Sequence, residues 1–340
     1  MEIVEVKGKE SISRILIGES IDNLQKYTEG RKLFIITDRN VERLYKDHLP
    51  TAPVYIIEPG EKSKNLQTII EIYRWLLAKD ADRSSFIVGV GGGVVCDLAG
   101  FVASTFVRGI DFGFVATTLL AQVDASVGGK NGVDLDGYKN IIGTFNQPKF
   151  VICDTSMLKT LPSLEFSNGM AEVVKHALIA DSEKFDFIEK NIESILALDS
   201  KMVEYLVTRS INIKAYIVET DERERGLRRV LNLGHTWGHA VEKLTGLPHG
   251  QSVSIGLAFS ANLSVKKGLM SIVERDRLLK LLINLGLTTK ANINPSEVFE
   301  VLLKDKKREN DFVHFVLMKG IGSVVVEKIR INNLAELLNY

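Results

Sequence analysis

The sequence predicts an α/β fold: a doubly wound, largely parallel sheet in the N-terminal half and a mostly α-helical C-terminal half. Three observations predict it. Short β-branched runs alternate with helical stretches up to about residue 154. The runs read as strands buried on both faces, as a parallel sheet requires. From Pro162 onward, nearly every segment carries helical periodicity.

Taken in order, residues 32–37 (KLFIIT) and 54–57 (VYII) read as buried strands. Residues 65–79 read as a helix, with Ile69, Ile70, Tyr73, Leu76 and Leu77 on one face. Residues 86–90 form the next strand, followed at once by three glycines and a helix over 94–106. Strands at 112–116 and 150–154 extend the rhythm. Helices are then predicted over 164–179, 184–196, 201–220, 235–245, 251–267 and 272–285. Only 312–318 and 323–326 read as strands again, as a small hairpin packed on the helices. The change of character divides the chain into domains 1–154 and 155–340. No low-complexity linker separates them, so a rigid pair with a ligand cleft is expected.

Bulk properties exclude several classes. The 340 residues exceed what one core usually takes. Charged residues make up 25% and apolar residues 45%, an ordinary soluble composition. Basic and acidic side chains balance, 43 against 43, so no general attraction to nucleic acid or to an anionic membrane is expected. No run of about 18 uncharged apolar residues predicts a membrane span. The start, MEIVEVKGKE, does not read as a signal peptide. Cys96 and Cys153 lack CxxC spacing, which points to a reducing cytoplasm.

Three segments carry candidate chemistry. Residues 89–97 follow a strand and open a helix, where glycines admit a ligand and free N–H groups face an anion. Gly89 and Gly91 fit the dinucleotide fingerprint, but Val94 holds its third glycine position, so a plain tight turn is the alternative. Asp38 either accepts a ribose hydroxyl or is only a turn residue. Residues 117–144 hold Lys130 and Asn131, then Lys139 and Asn140, among glycines and apolar residues. They read either as an ordered loop lining an anion site or as two unrelated hairpin turns with solvated lysines.

The third segment is histidine-rich. His235 and His239 stand four apart on one helical face, but Thr236 and Trp237 between them exclude the HExxH protease pattern. His249 follows ten residues later, and His176 precedes them. Glu172 sits among Met170, Ala171, Val173 and Val174, so its carboxylate is expected to be buried and to need a metal or a lysine such as Lys175. Three protein ligands and an open position are the catalytic zinc pattern. His48 and His314 read as structural.

Six motifs then carry a resemblance. They are GGGVVCDLAGFVASTFVRGI, QVDASVGGKNGVD, YKNIIGTF, GMAEVVKHAL, NLGHTWGHAVE and HGQSVSIG. Together, in this order, they resemble the dehydroquinate synthases, over roughly residues 30 to 320. The resemblance implies a Rossmann-like nucleotide-binding domain, an α-helical metal domain and a homodimer. It implies zinc, with cobalt(II) able to replace it, on Glu172, His235 and His249, with His239 as a phosphate contact. NAD would meet Asp38, Asn40, Glu61, Lys64, Gly92, Gly93, Val94, Asp97, Thr117 and Thr118, with Lys130 and Lys139 nearby. Lys130, Lys214 and Arg228 would surround a substrate carboxylate. Asp124, Lys139, Asn140, Lys175 and Asn232 would meet hydroxyls and phosphate. Arg108 would reach a neighbouring subunit's site, and Lys306 or Lys307 would supply a late lysine. Cys96 departs from the family's usual small residue.

The implied reaction cyclises 3-deoxy-D-arabino-heptulosonate 7-phosphate to 3-dehydroquinate and phosphate. It runs by transient NAD oxidation, phosphate elimination, re-reduction and intramolecular aldol closure. The small-molecule substrate is anionic, and the lysines and arginine above match its charge. Three rivals remain: a sugar-phosphate cyclase for carboxylate-free substrates, a metal-dependent polyol dehydrogenase, and a non-catalytic module that senses NAD.

Overall fold

A computed structural model describes residues 1–9, 11–303 and 312–330. Its first strands are β1 (Glu2–Lys7), β2 (Ile12–Ile17), β3 (Leu33–Asp38), β4 (Val54–Ile57), β5 (Phe86–Gly91), β6 (Asp111–Ala116), β7 (Lys130–Leu135), β8 (Tyr138–Phe145) and β9 (Phe150–Cys153). Among them lie α1 (Arg39–Tyr45), α2 (Leu66–Ala78) and α3 (Gly93–Thr105). Then come α4 (Ser163–Ala180), α5 (Ser182–Lys190), α6 (Ile192–Leu196), α7 (Ser200–Thr220), α8 (His235–Thr245), α9 (His249–Lys266), α10 (Ile272–Asn284) and α11 (Pro295–Leu303). The strands β10 (Phe312–Met318) and β11 (Val324–Arg330) pair antiparallel.

The chain divides into two compact units. One is Met1–Leu161 with Val203–Arg223; the other is Pro162–Met202 with the described part of Glu224–Tyr340. Most of α7 therefore goes with the first unit, although sequence periodicity groups it with the later helices.

The first unit is built on a seven-stranded sheet in the order β1-β2-β9-β6-β5-β3-β4. Only β1 and β2 pair antiparallel; the other neighbours are parallel. The two strands within residues 2–17 are not expected from the sequence. β1 buries little, with Val6 its only buried residue, so it lacks the apolar run of an inner strand. By contrast all six residues of β5 are buried, the run expected of a strand covered on both faces. The chain steps from β3 out to β4, returns to β5 on the other side of β3, and continues outward to β6. The strand order therefore reverses between β3 and β5. Open α/β sheets bind ligands at the carboxyl ends of strands at such a point. Here those ends are Asp38 and Gly91.

Two local readings need correction. On α2 the buried stripe is Ile69, Ile72 and Leu76, while Ile70 and Leu77 are exposed. The predicted face was too wide: Ile70 and Leu77 lie about a quarter-turn off that stripe. Within the segment 117–144, read as an ordered loop or as two unrelated hairpin turns, residues 130–145 form one β-hairpin. Its turn is Asp136-Gly137, both at positive φ (50° and 78°). That pair is the standard signal for a two-residue hairpin turn, and the sequence reading passed over it.

In the second unit, α4 is buried all round, from Phe166 to Ile179, which makes it a core helix. The single helix predicted over 184–196 is split at Asn191 into α5 and α6. Three glycines bring helices together at backbone distance. A Cβ on Gly256 of α9 would lie 1.8 Å from the carbonyl oxygen of Gly234, just before α8. One on Gly238 of α8 would lie 2.8 Å from the Ser252 carbonyl oxygen of α9, and one on Gly250 would lie 2.3 Å from the Asn168 carbonyl oxygen of α4. Any larger residue there would push α4, α8 and α9 apart.

Candidate functional site

Those contacts bring together side chains from three helices of the second unit. Glu172 comes from α4, His235 opens α8 and His249 opens α9. Oε1 of Glu172 lies 3.5 Å from Nε2 of His235 and 3.6 Å from Nε2 of His249. One ligand atom from each lies within 4.8 Å of the others. Separations of 3.5–3.6 Å are long for hydrogen bonds. They match the roughly 3.4 Å edge of a tetrahedron around an ion with ligands near 2.1 Å. The three residues thus fit a divalent ion, with His249 partly open to solvent at 30% side-chain exposure.

The surroundings set the charge. Glu172 is fully buried, and Lys175, one turn on, holds its other oxygen in an ion pair. Nδ1 of His235 is 3.1 Å from the Leu233 carbonyl oxygen, so Nε2 faces the carboxylate. Burial, reinforced by the Lys175 charge, lowers the His235 ring to about 3 and keeps it neutral. Desolvation also disfavours charge on His249, but the neighbouring Glu172 and Glu242 carboxylates outweigh it and raise the ring to about 9. His239 stacks edge-on to His235, ring centroids 5.1 Å apart. His176 is buried on α4.

Other predicted residues of this unit lie on the turn Leu227–Asn232. Arg228 is buried there, and Asn232 donates to Glu224, itself at positive φ (57°). The His314 ring contacts Arg229, and its carbonyl accepts from Thr236. Lys306 and Lys307 lie outside the described residues.

In the first unit, the glycine segment closes the switch point. A Cβ on Gly91 would lie 2.5 Å from Val95 Cγ2, and one on Gly89 would lie 2.8 Å from Ala99 Cβ. These two glycines seat α3 on β5. Gly92 and Gly93 open α3, whose start has no side-chain cap, so its N–H groups are available to an anion. Val94, half-buried in the first turn of α3, holds the third fingerprint position. Thr117 N–H donates to the Gly91 carbonyl, and Thr118 Oγ1 accepts from Ala121 N–H. Asp38 caps α1 by accepting from the N–H groups of Asn40 and Val41. Both of these hydrogen bonds go to one oxygen, Oδ1.

Lys64, itself buried, pairs at 2.5 Å with the partly buried Asp97. Burial raises the Asp97 carboxyl, and the Lys64 charge opposes that rise. Glu61 pairs at the surface with Lys139 at 3.4 Å. Asn140, at positive φ (50°), donates its N–H to Asp134, and Lys130 begins β7, exposed. Lys214 donates to both the carbonyl and the carboxylate of Asp124, each at 2.6 Å. Arg108 is exposed, in a run of positive φ at Val107, Arg108 and Gly109 (43°, 73° and 112°). Strain at a β-branched residue such as Val107 persists only when its surroundings impose it.

The sequence reading missed Glu242 and Glu224. Glu242 follows His235 by seven residues and His239 by three, so all three share a face of α8. That spacing was the available signal. Glu224 lies in an irregular loop and has no periodicity to mark it. Among the described residues, no helix is long and apolar enough to cross a membrane.

Comparison with known proteins gives consistent matches. Residues 54–168 match the family model 3-dehydroquinate synthase N-terminal, and residues 169–308 match 3-dehydroquinate synthase C-terminal. The chain is 40% identical over 319 residues to the 3-dehydroquinate synthase of Ruminiclostridium cellulolyticum, covering 91% of this chain and 89% of that one. Two solved structures are each 26% identical. One is 2-deoxy-scyllo-inosose synthase complexed with carbaglucose-6-phosphate, NAD+ and Co2+ (TM-score 0.88, 99% of both chains). The other is 2-epi-5-epi-valiolone synthase from Streptomyces hygroscopicus subsp. jinggangensis, with NAD+ and Zn2+ bound (TM-score 0.89, 98% of both chains).

Proposed function

This chain belongs to the 3-dehydroquinate synthase family, and on that premise we propose that it cyclises 3-deoxy-D-arabino-heptulosonate 7-phosphate to 3-dehydroquinate and phosphate. The reaction is a phosphate-eliminating carbon–oxygen lyase step with no net oxidation. The observation that carries the proposal is the Glu172 oxygen facing two imidazole nitrogens at tetrahedral spacing. When bound, NAD accepts and returns a hydride, and zinc or cobalt(II) acidifies the reacting alcohol.

The chain's own residues do the rest. Glu172, His235 and His249 hold the ion, and Lys175 neutralises the second Glu172 oxygen. The start of α3 takes the cofactor pyrophosphate, with Asp38, Asn40, Glu61, Lys64, Asp97, Thr117 and Thr118 around it. Lys214 gives up a contact to Asp124 to meet the substrate carboxylate, a role shared with Lys130 and Arg228. Lys139, Asn140, Asn232 and His239 orient hydroxyls and phosphate. Fixing both anionic ends restricts the ring-opened chain and favours closure in one geometry. The substrate phosphate can accept the proton lost on elimination. Arg108 serves a neighbouring subunit in a cytoplasmic homodimer.

The two 26%-identical structures are cyclases of other names. The higher identity to 3-dehydroquinate synthases supports the acid substrate. Phosphate release from the heptulosonate phosphate, a carboxylate-free heptulose phosphate and glucose 6-phosphate separates the readings, with NADH followed by its absorbance. Release from the acid alone, without NADH build-up and abolished by chelator, is expected. Turnover of only the carboxylate-free sugars, or sustained NADH production, would overturn the assignment.

A further inference from the structure

Glu242 is a buried carboxylate that the proposed reaction does not use. It is 7% exposed, and its Oε2 lies 3.4 Å from Nδ1 of His249. The other nitrogen of that ring, Nε2, faces Glu172 at 3.6 Å. His235 is arranged the same way, with Nε2 toward Glu172 and Nδ1 against the Leu233 carbonyl oxygen. Both rings therefore turn the same atom to the centre and rest the other on an acceptor. The acceptors differ: one is a neutral carbonyl, the other a carboxylate.

Charge balance gives that difference meaning. Lys175 already offsets the charge of Glu172. With two neutral imidazoles as the other ligands, a divalent ion would leave roughly two positive charges uncompensated in a buried place, which is costly. Glu242 offsets one of these two charges through the ring of His249.

We propose that Glu242 is the positioning residue of the metal centre. It accepts the Nδ1–H of His249, fixes that tautomer, and aims the Nε2 lone pair at the ion. This inference rests on the metal reading given above. A competing arrangement exists, because ligand atoms of His239, Glu242 and His249 also lie within 4.8 Å of one another. There Glu242 would itself ligate. The two roles exclude each other, since Nδ1 cannot both hold a proton and bind an ion.

The test is zinc affinity of the full chain, measured by competition with a chromophoric chelator, for wild type, E242Q and E242A. Thermal melts of the metal-free proteins accompany it. Glutamine keeps the shape and an acceptor but loses the charge, so packing alone would leave E242Q at wild-type affinity. E242A is expected to bind zinc 10- to 100-fold more weakly, with E242Q between it and wild type. E242Q should melt as wild type does when both are metal-free. Wild-type chain binding one zinc, with both variants within twofold of it, would overturn the inference alone. Loss of all binding in E242Q, with binding retained in H235A, would make Glu242 a ligand and overturn it too. A wild-type chain that binds no zinc would instead sink the metal reading itself.

Discussion

The Glu172–His235–His249 trio and the lysine hairpin hold charged groups in opposite ways. Glu172, His235 and His249 come from three helices locked by glycines, and Glu172 is fully buried. Lys130, Lys139 and Asn140 stand on a two-stranded hairpin, and Lys139 is 46% exposed. Ligand geometry for an ion tolerates errors of only a few tenths of an ångström. A lysine meeting phosphate acts as a mobile point charge and tolerates more. The comparison shows burial spent where geometry must be fixed and exposure left where reach matters.

The largest effect expected outside the trio tests whether burial, rather than the unit, makes the difference. Lys64 belongs to the hairpin's unit but is buried against Asp97. Lys64→Met should cost about 3–5 kcal/mol in urea unfolding, because it leaves the largely desolvated Asp97 carboxylate without its counter-charge. A cost below about 1 kcal/mol would break the comparison. Gly256→Ala comes next, at about 3 kcal/mol, since its methyl would meet a carbonyl oxygen 1.8 Å away. An unchanged melting temperature with full zinc affinity would show that the helices are not locked there.

A smaller effect belongs to the surface start of α10, where Ser271 and Glu274 form a capping box. Ser271→Ala should cost about 1 kcal/mol at neutral pH. The Ser271 hydrogen bond, with the N–H groups of Ser271 and Ile321, holds the Glu274 carboxyl below its ordinary 4.5. A depressed carboxyl stabilises the fold above its unfolded value and loses that contribution as pH falls through its folded value. The difference between wild type and Ser271→Ala should therefore shrink below pH 4.5, measured by denaturation at pH 3 to 7. A constant difference would mean that the serine acts without the carboxylate. Lys139→Met should have the smallest effect on stability, under about 1 kcal/mol, because its pair with Glu61 is exposed. Its loss should appear in phosphate-substrate KM instead.

Local signals made much of this legible. The bounds of α8, β4 and β10 match their sequence readings, because periodicity and glycine or proline punctuation act within a few residues. Glu172 was marked by its apolar flanks. What depends on distant partners was hidden. Nothing local shows that Gly256 meets Gly234, that residues 203–223 join the first unit, or that Glu242 backs His249. The 136–137 turn, by contrast, is legible locally as an Asp-Gly pair.

The pairing of Lys175 with Glu172 has one more consequence. A carboxylate with its own resident counter-charge does not need the ion in order to stay folded. Chelation should therefore leave an intact shell that can be reloaded, so the choice between zinc and cobalt passes from the polypeptide to whatever supply surrounds it.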